Sequence, residues 1–558
     1  MITNDEISDS FSLLAKLMDI HGDNPFKAKS YAAAAFSVDK LTTPLSEMNQ
    51  KDIFSIKGIG ESAGNRIIEI LQTGRLQLLE DIISKTPAGI LEMLKIKGIG
   101  PKKIATIWKE LEIETLGELL YACNENRLTL YKGFGEKTQQ NIKESIEFYM
   151  GAMGRYLYQQ VESFSKELEN ILKTTLPFSF QLTGEMRRQM EIIDSIDWVT
   201  TANANDLIHF MQSLQFKLIE ELTTSLSFKN EQNITVKFIL ADLKNFQARL
   251  FETSCSEEFL MEWNKITKWD NQLFFAHEED IFSTYNICPI PTCQRESTTI
   301  IHQAIHNDLP NLIEKDDIAG IIHAHSTWSD GGNSLAEMAA AAMAKGMQYL
   351  VISDHSKSAF YANGLSAERI LEQHKEIAAI NQKLSPFKIF KSIESDILND
   401  GSLDYPDEIL ASFDVVIASV HSNLKMSEEK ANARLLKAIE NKYTSILGHM
   451  TGRLLLSRAG YPINHDLIID ACAANGVVIE LNAHPRRLDI DWRWIEKAIK
   501  KKVLISINPD AHTIDGLDDC KYGVLVAQKA GLAKNQNLSS FNLKQFEQFV
   551  QLQKTKRN

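Results

Sequence analysis

Imidazole and carboxylate side chains recur through the second half of this chain: His323 and His325, Asp330, His355, Glu394, His421, His449, and Asp510 with His512. These are ligand types for zinc, manganese and iron(II), and clustered sets bridge two or three such ions. Neighbouring ions can clamp a phosphate and lower the pKa of a water, which is the chemistry of phosphoester hydrolysis. Residues two apart in an extended segment face the same side. His323 and His325 are therefore expected to grip one ion together, and Asp510 and His512 to do the same. Any one such histidine is more often an ordinary hydrogen-bonded residue; it is the whole set, spaced in step, that makes a site.

The elements that must position them follow a regular alternation. Strand signals at 320–323, 349–353, 388–393, 415–420, 445–448, 477–481 and 503–507 are separated by amphipathic helical stretches such as 335–345, 367–384, 428–442 and 492–501. Seven β/α alternations predict a parallel barrel, whose reactive side chains belong at the C-terminal strand ends. Each residue named above ends or follows one of these strands, with Asp330 in the loop after the first.

The motifs His323-Ala-His325-Ser-Thr-Trp-Ser-Asp330-Gly, Ser353-Asp354-His355-Ser356, Glu394-Ser-Asp-Ile, Ser419-Val-His421-Ser, Gly448-His449 and Pro509-Asp510-Ala-His512 resemble those of the PHP (polymerase and histidinol phosphatase) family. The resemblance covers roughly 317–555. It implies a (β/α)7 barrel and a site for two or three divalent ions (Mn2+, Zn2+ or Fe2+), with these nine residues as ligands. Arg453 and Arg487 are then candidate phosphate contacts. Asp354, beside His355, is a candidate to orient a metal-bound histidine or relay a proton. His484 also lies beyond a strand end and ranks below the nine.

Residues 1 to about 150 read as short helices with a repeated glycine turn. Ile56-Lys57-Gly58-Ile59-Gly60 returns as Ile96-Lys97-Gly98-Ile99-Gly100, and more loosely as Tyr131-Lys132-Gly133-Phe134-Gly135. A turn of this kind exposes backbone N–H groups at the start of the next helix, an anion site suited to a DNA phosphate without reading sequence. Lys57, Lys97, Lys102, Lys103, Lys132 and Lys137 stand beside the loops and add screened positive charge. These turns resemble helix-hairpin-helix motifs.

Hairpins, a mixed α/β middle (with strands expected at 179–182 and 234–240) and a PHP barrel together resemble the bacterial family X DNA polymerases that carry a PHP exonuclease. The domains expected are 1–85 (lyase-like, helix-hairpin-helix), 86–150 (a second, fingers-like one), 151–310 (palm and thumb) and 317–558 (barrel). Pro289, Pro291 and the charged 314–317 stretch mark an expected linker. Family palms hold two magnesium ions with an Asp-x-Asp pair and a third aspartate, and the triphosphate with a Gly-Ser pair and arginine. Gly184 and Arg188 match. Glu185 stands at the serine, Ser195 at the first aspartate, Asp197 at the second and Lys237 at the third. The polymerase centre is therefore expected to be inactive. Arg66, at the apparent lyase-lysine position, stays protonated and forms no Schiff base readily.

At 558 residues and 44% hydrophobic content this is a folded multidomain chain. Its net charge of −13 decides little, since phosphate contacts can be local and acidic ligands lower the total. Six cysteines without a CxxC pair, an acidic N-terminus and no long apolar run point to a cytoplasmic, possible nucleoid-associated protein without a membrane partner. The expectation is a monomer acting on gapped duplex or 3′ ends of DNA as a 3′→5′ exonuclease or end-processing enzyme of base-excision or gap repair. The competing readings are a gap-filling polymerase with accessory nuclease, a histidinol-phosphatase-like small-molecule phosphatase, and a non-catalytic DNA-binding scaffold.

Overall fold

The computed structural model describes residues 2–41, 43–96, 98–151 and 154–557, so Lys97 lies outside the described residues. The chain forms two compact units: 1–124 with 128–147, and 125–127 with 148–558.

The first unit is helical. Its opening helix, Asn4–His21, starts at a reciprocal cap between Thr3 and Glu6 and stops at Gly22, whose φ of 79° ends the helix. The three glycine turns share one geometry: Gly58, Gly98 and Gly133 have φ of 94°, 91° and 94°, a region that side chains rarely enter. The hydrophobic residue between each pair of glycines (Ile59, Ile99, Phe134) is buried and anchors the turn. The second glycine then opens a helix, at Glu61–Thr73, Pro101–Lys109 and Glu136–Gly151.

The second unit begins with a five-stranded sheet in the order Phe180–Thr183, Ile196–Thr200, Thr235–Leu240, Ser225–Lys229, Lys217–Leu222. Only the pair Ile196–Thr200 and Thr235–Leu240 runs parallel. Trp198, Phe228 and Phe238 fill its core together with Val161, Leu168 and Leu172 from the helix Tyr158–Thr175. The 289–317 stretch is folded rather than a free tether. It holds the helix Thr299–Ile305, and Ile313 is fully buried with its N–H on the Leu532 carbonyl. The prolines and charges there mark turns.

The barrel is a seven-stranded parallel sheet of Gly320–Ala324, Tyr349–Ile352, Lys388–Asp396, Val415–Ser419, Ile446–Leu447, Val478–Asn482 and Ile505–Asn508, each strand beside the next. Closure comes from a parallel bridge between Ala324 and Ala511. The third strand runs further than its expected end because its first half pairs with Tyr349–Ile352 and its second with Val415–Ser419. Ile322, Val351, Phe390, Ile417, Ile446 and Val478 pack with Phe546 and Phe549 of the terminal helix Leu543–Lys556. Apolar side chains thus fill the barrel core, and polar ones gather at the C-terminal rim. Among the described residues no helix is long and apolar enough to cross a membrane.

Candidate active site

The rim brings the predicted side chains together. Three groups have ligand atoms within 4.8 Å of one another: His325, Asp330, His355 and His512; His323, His325 and Asp510; and His355, Glu394 and His421. His325 and His355 each belong to two groups, so the three adjoin. Glu394 lies at their junction: Oε1 is 3.4 Å from His323, 3.1 Å from His421 and 2.9 Å from His449, while Oε2 is 2.9 Å from His355.

Two details differ from the extended-strand expectation. His323 takes a φ of 65° at an irregularity in the pairing of its strand, so a local turn, not alternation, aims both His323 and His325 at Asp510, at 3.3 and 3.0 Å. Asp510 and His512 fall in different groups rather than one. Asp510 has a φ of 52°, and the chain there also does not alternate as a strand would.

The donor set fits a divalent metal. His323 Nε2, His325 Nδ1, Asp330 Oδ2, both nitrogens of His355, Glu394 Oε2, His449 Nδ1 and His512 Nε2 are buried without a hydrogen-bond partner among the described residues. Buried polar atoms are normally paired, so such a convergence of lone pairs is what cation ligands look like. The electrostatics agree. Burial works against the imidazolium of His421, but Glu394 and Asp396 overcome it and hold its pKa up at about 10. His512 is likewise held at about 10, burial being outweighed by Glu125 and Asp330. His325, buried and facing His512 and His355, is pushed down to about 3. The pocket is strongly attractive to positive charge.

Other predicted residues are placed differently. Asp354 accepts from the backbone and hydroxyl of both Ser326 and Ser329 and from Gln373, at 2.5 to 3.2 Å. It therefore staples the loop between His325 and Asp330. Arg453 is committed to Asp491 at 2.5 Å and to the carbonyls of Arg487 and Leu488, which braces the 487–491 segment. Arg487 does reach the cluster, with Nε 3.8 Å from Asp510 Oδ2. The ring of His484 accepts the Arg486 N–H at 3.2 Å.

Sequence reasoning missed Glu480 and Asp396. Glu480 Oε2 lies 2.6 Å from His323 Nδ1, and Asp396 Oδ1 lies 2.6 Å from His421 Nδ1. Carboxylates on the far nitrogen fix a ligating ring's tautomer and orientation. The signal was present: Glu480 is the one charged residue in the apolar strand Val478–Asn482, and Asp396 is two residues past Glu394 on one strand.

A side chain added to Gly60, Gly98, Gly100, Gly133 or Gly135 would meet nothing within 4 Å, so the turns present open backbone. Lys102 is exposed beside the second turn, and Lys103 lies 5.7 Å over the Phe134 ring.

Known proteins align with these parts. A helix-hairpin-helix domain matches residues 2–76, a SAM-like helix-hairpin-helix tandem 90–147, and a PHP domain 322–484. A Bacillus subtilis protein named DNA polymerase/3'-5' exonuclease PolX is 34% identical over 561 residues, spanning 96% of this chain and 97% of its own length. The chain belongs to the PolX family. Proteins named probable phosphatase match a smaller share of the chain. One from Caldanaerobacter subterraneus is 29% identical over 29% of this chain and 60% of its own, and one from a Thermoanaerobacter is 26% identical over 38% and 83%. PHP domains are metal-dependent, and the helix-hairpin-helix domains of this PolX family member indicate DNA binding.

Asp197 is the register partner of Lys237 on the neighbouring parallel strand. Ser195 donates to Asp197 Oδ1 at 2.5 Å, and Gly184, with φ of 64°, packs so closely that a Cβ would lie 2.7 Å from Asp197 Oδ2. Burial pushes Asp197 up to about 6. Glu185, raised by burial, accepts the Asp194 N–H, and Arg188 pairs with Glu296 at 2.7 Å. Among the described residues, the groups with metal-holding spacing all lie in the barrel.

Proposed function

We propose that this chain is a DNA-binding, metal-dependent phosphodiesterase, a 3′→5′ exonuclease or 3′-end-processing enzyme of gap or base-excision repair, whose palm does not polymerise. The observation that carries the reading is the convergence of three adjoining buried groups of imidazoles and carboxylates at the barrel rim. His323, His325, Asp330, His355, Glu394, His421, His449, Asp510 and His512 would hold two or three ions of manganese, zinc or iron(II). Those ions supply Lewis acidity to a phosphoryl oxygen and make water a better nucleophile at neutral pH. Around them the chain's own groups act by orientation. Glu480 and Asp396 fix the rings of His323 and His421, Asp354 fixes the loop bearing Asp330, and Arg487 brings a fork of N–H donors for phosphate.

Gly58, Gly60, Gly98, Gly100, Gly133 and Gly135 turn backbone N–H groups toward a duplex backbone, and Lys102 and Lys103 add charge. The domains at 1–85, 86–150, 151–310 and 317–558 divide this labour, with the protein acting as a monomer on gapped DNA. The name of the Bacillus subtilis relative supports both nuclease and polymerase readings. Lys237 beside Asp197, and Ser195 where a carboxylate is needed, favour the first.

The test is a gel assay of a 5′-labelled primer on a gapped template with Mn2+, with and without dNTPs, beside a His323→Ala/His325→Ala variant. The expected result is shortening that the variant lacks and no extension with dNTPs. Templated extension would sink the inactive palm. An undigested primer with hydrolysis of small phosphate esters would favour the phosphatase reading that the relatives named probable phosphatase suggest.

A further inference from the structure

Glu125-Asn126-Arg127 follows the helix Leu116–Asn124 in sequence, yet it clusters with residues 148–558. Glu125 is 2% exposed. Its Oε2 lies 2.6 Å from Arg127 Nη2, and Arg127 Nε lies 3.7 Å from Asp330 Oδ2. The Arg127 guanidinium also sits 5.0 Å from the ring centre of Tyr361, whose buried hydroxyl has no hydrogen-bond partner among the described residues. Glu125 Oε1 is 3.9 Å from Nδ1 of His512. The tripeptide thus sets an acid and a base against Asp330 and His512, two members of one candidate metal group.

Burying an ion pair is costly and often no better for stability than apolar packing, so the place of this pair asks for another reason. Its orientation supplies one. A carboxylate that plugged the metal group would address the nitrogen of His512 that faces Asp330, which is Nε2 at 3.4 Å. Glu125 addresses Nδ1 instead, the outward nitrogen that also lies 3.0 Å from the Asp510 carbonyl. Arg127 approaches Oδ2 of Asp330, the oxygen that lies 3.6 Å from His355 and is buried without a hydrogen-bond partner among the described residues. A guanidinium is a rigid fork that stays protonated and matches a phosphate's oxygens two at a time. The aromatic face of Tyr361 and the Glu125 carboxylate hold it in place.

We propose that Arg127 is a catalytic residue of the barrel site. It contacts the phosphate of the bound phosphoester and offsets the charge that builds on it, while Glu125 is a positioning residue for Arg127 and His512. The inference rests on the hydrolytic reading above. It makes the site of this chain depend on a segment some two hundred residues before the barrel motifs.

The test uses the full chain with Mn2+ and two substrates, the gapped DNA and bis(4-nitrophenyl) phosphate, for the wild type, Arg127→Ala, Arg127→Lys and Glu125→Gln. Bound manganese and thermal unfolding are measured for each. The expected result is a loss of about 100-fold or more in kcat for Arg127→Ala on both substrates, the size seen when one charge-stabilising donor is removed. Metal content should match wild type at a temperature well below unfolding. The unfolding temperature itself should fall because Glu125 is left buried and unpaired, and added guanidinium should restore part of the loss in kcat. Arg127→Lys keeps the charge without the fork and should lie between. Should Arg127→Ala fail to fold, the kcat of Arg127→Lys at full metal content decides. Wild-type turnover, faster turnover, or a loss explained wholly by lost manganese would each overturn the proposal. Ester cleavage without DNA shortening by the wild type would instead fault the DNA reading and leave the Arg127 comparison standing on the ester.

Discussion

Glu480 Oε2 lies 2.6 Å from His323 Nδ1, with both side chains fully buried, so the ring presents Nε2 to Glu394 and Asp510. Glu480 has no spare capacity: it also accepts from Asn508, from Asn482 and from the backbone of His449, at 2.8 to 3.1 Å. Glu480→Gln turns one acceptor into a donor facing donors. We expect manganese affinity to fall about 10- to 100-fold, as for other partners behind metal ligands, with activity returning at saturating metal. Titration calorimetry with Mn2+ reads this directly, and unchanged affinity would remove Glu480 from the site.

Asp354 supports the site in a different way. Its oxygens take five donors from Ser326, Ser329 and Gln373. Asp354→Asn leaves at least one of those buried donors opposed, at about 1–3 kcal/mol. The expected outcome is a lower unfolding temperature together with weakened metal binding, because the same loop carries Asp330. A loss of activity at wild-type unfolding temperature and metal content would restore the proton-relay role that the sequence suggested for this residue.

The barrel was legible because parallel strands buried on both faces write long apolar runs, and the chemistry sits where each run stops. Val415–Ser419 followed by His421 is the plain case. What stayed hidden depends on backbone turns and distant pairing. The positive φ values of His323 and Asp510 cannot be read from alternation, and they decide which ligands share a group. Arg453 and Arg487 looked equivalent by motif. Asp491 and two carbonyls occupy the first, while the second reaches Asp510. Arg127 carries no local sign at all, since its partner Asp330 is set by tertiary folding alone.

The hairpins offer a matched pair of tests. Gly58 and Gly98 share a positive φ, but a Cβ on Gly58 would lie 2.3 Å from Ser37 Oγ, whereas one on Gly98 meets nothing within 4 Å. Gly98→Ala should cost about 1–2 kcal/mol for the strained conformation alone, and Gly58→Ala distinctly more. For binding, Lys102→Ala/Lys103→Ala should weaken duplex affinity alike for all sequences and flatten the log–log salt dependence by about 0.9 per lost phosphate contact. Fluorescence anisotropy across a salt series measures the slope. A slope equal to wild type would take both lysines off the DNA.

Asp197 tests the palm without any assay of polymerisation. Burial raises its carboxyl from 3.8 to about 6 in the folded chain, despite the Ser195 hydroxyl and Lys237, which favour the ionised form. A raised folded pKa means that stability is fully present below pH 3.8 and is lost as pH climbs through about 6. At pH 8 the charged group then destabilises the fold by up to about 3 kcal/mol, at 1.36 kcal/mol per pKa unit. Asp197→Asn keeps an acceptor for Ser195 and removes the charge. It should unfold at a higher temperature than wild type at pH 8, with the gain shrinking through pH 6 and vanishing near pH 4. Magnesium should leave the difference unchanged, because a single carboxylate in register with a lysine holds no magnesium pair. If magnesium instead stabilises wild type over Asp197→Asn at pH 8, the palm binds a cation through Asp197, and the inactive-polymerase reading fails.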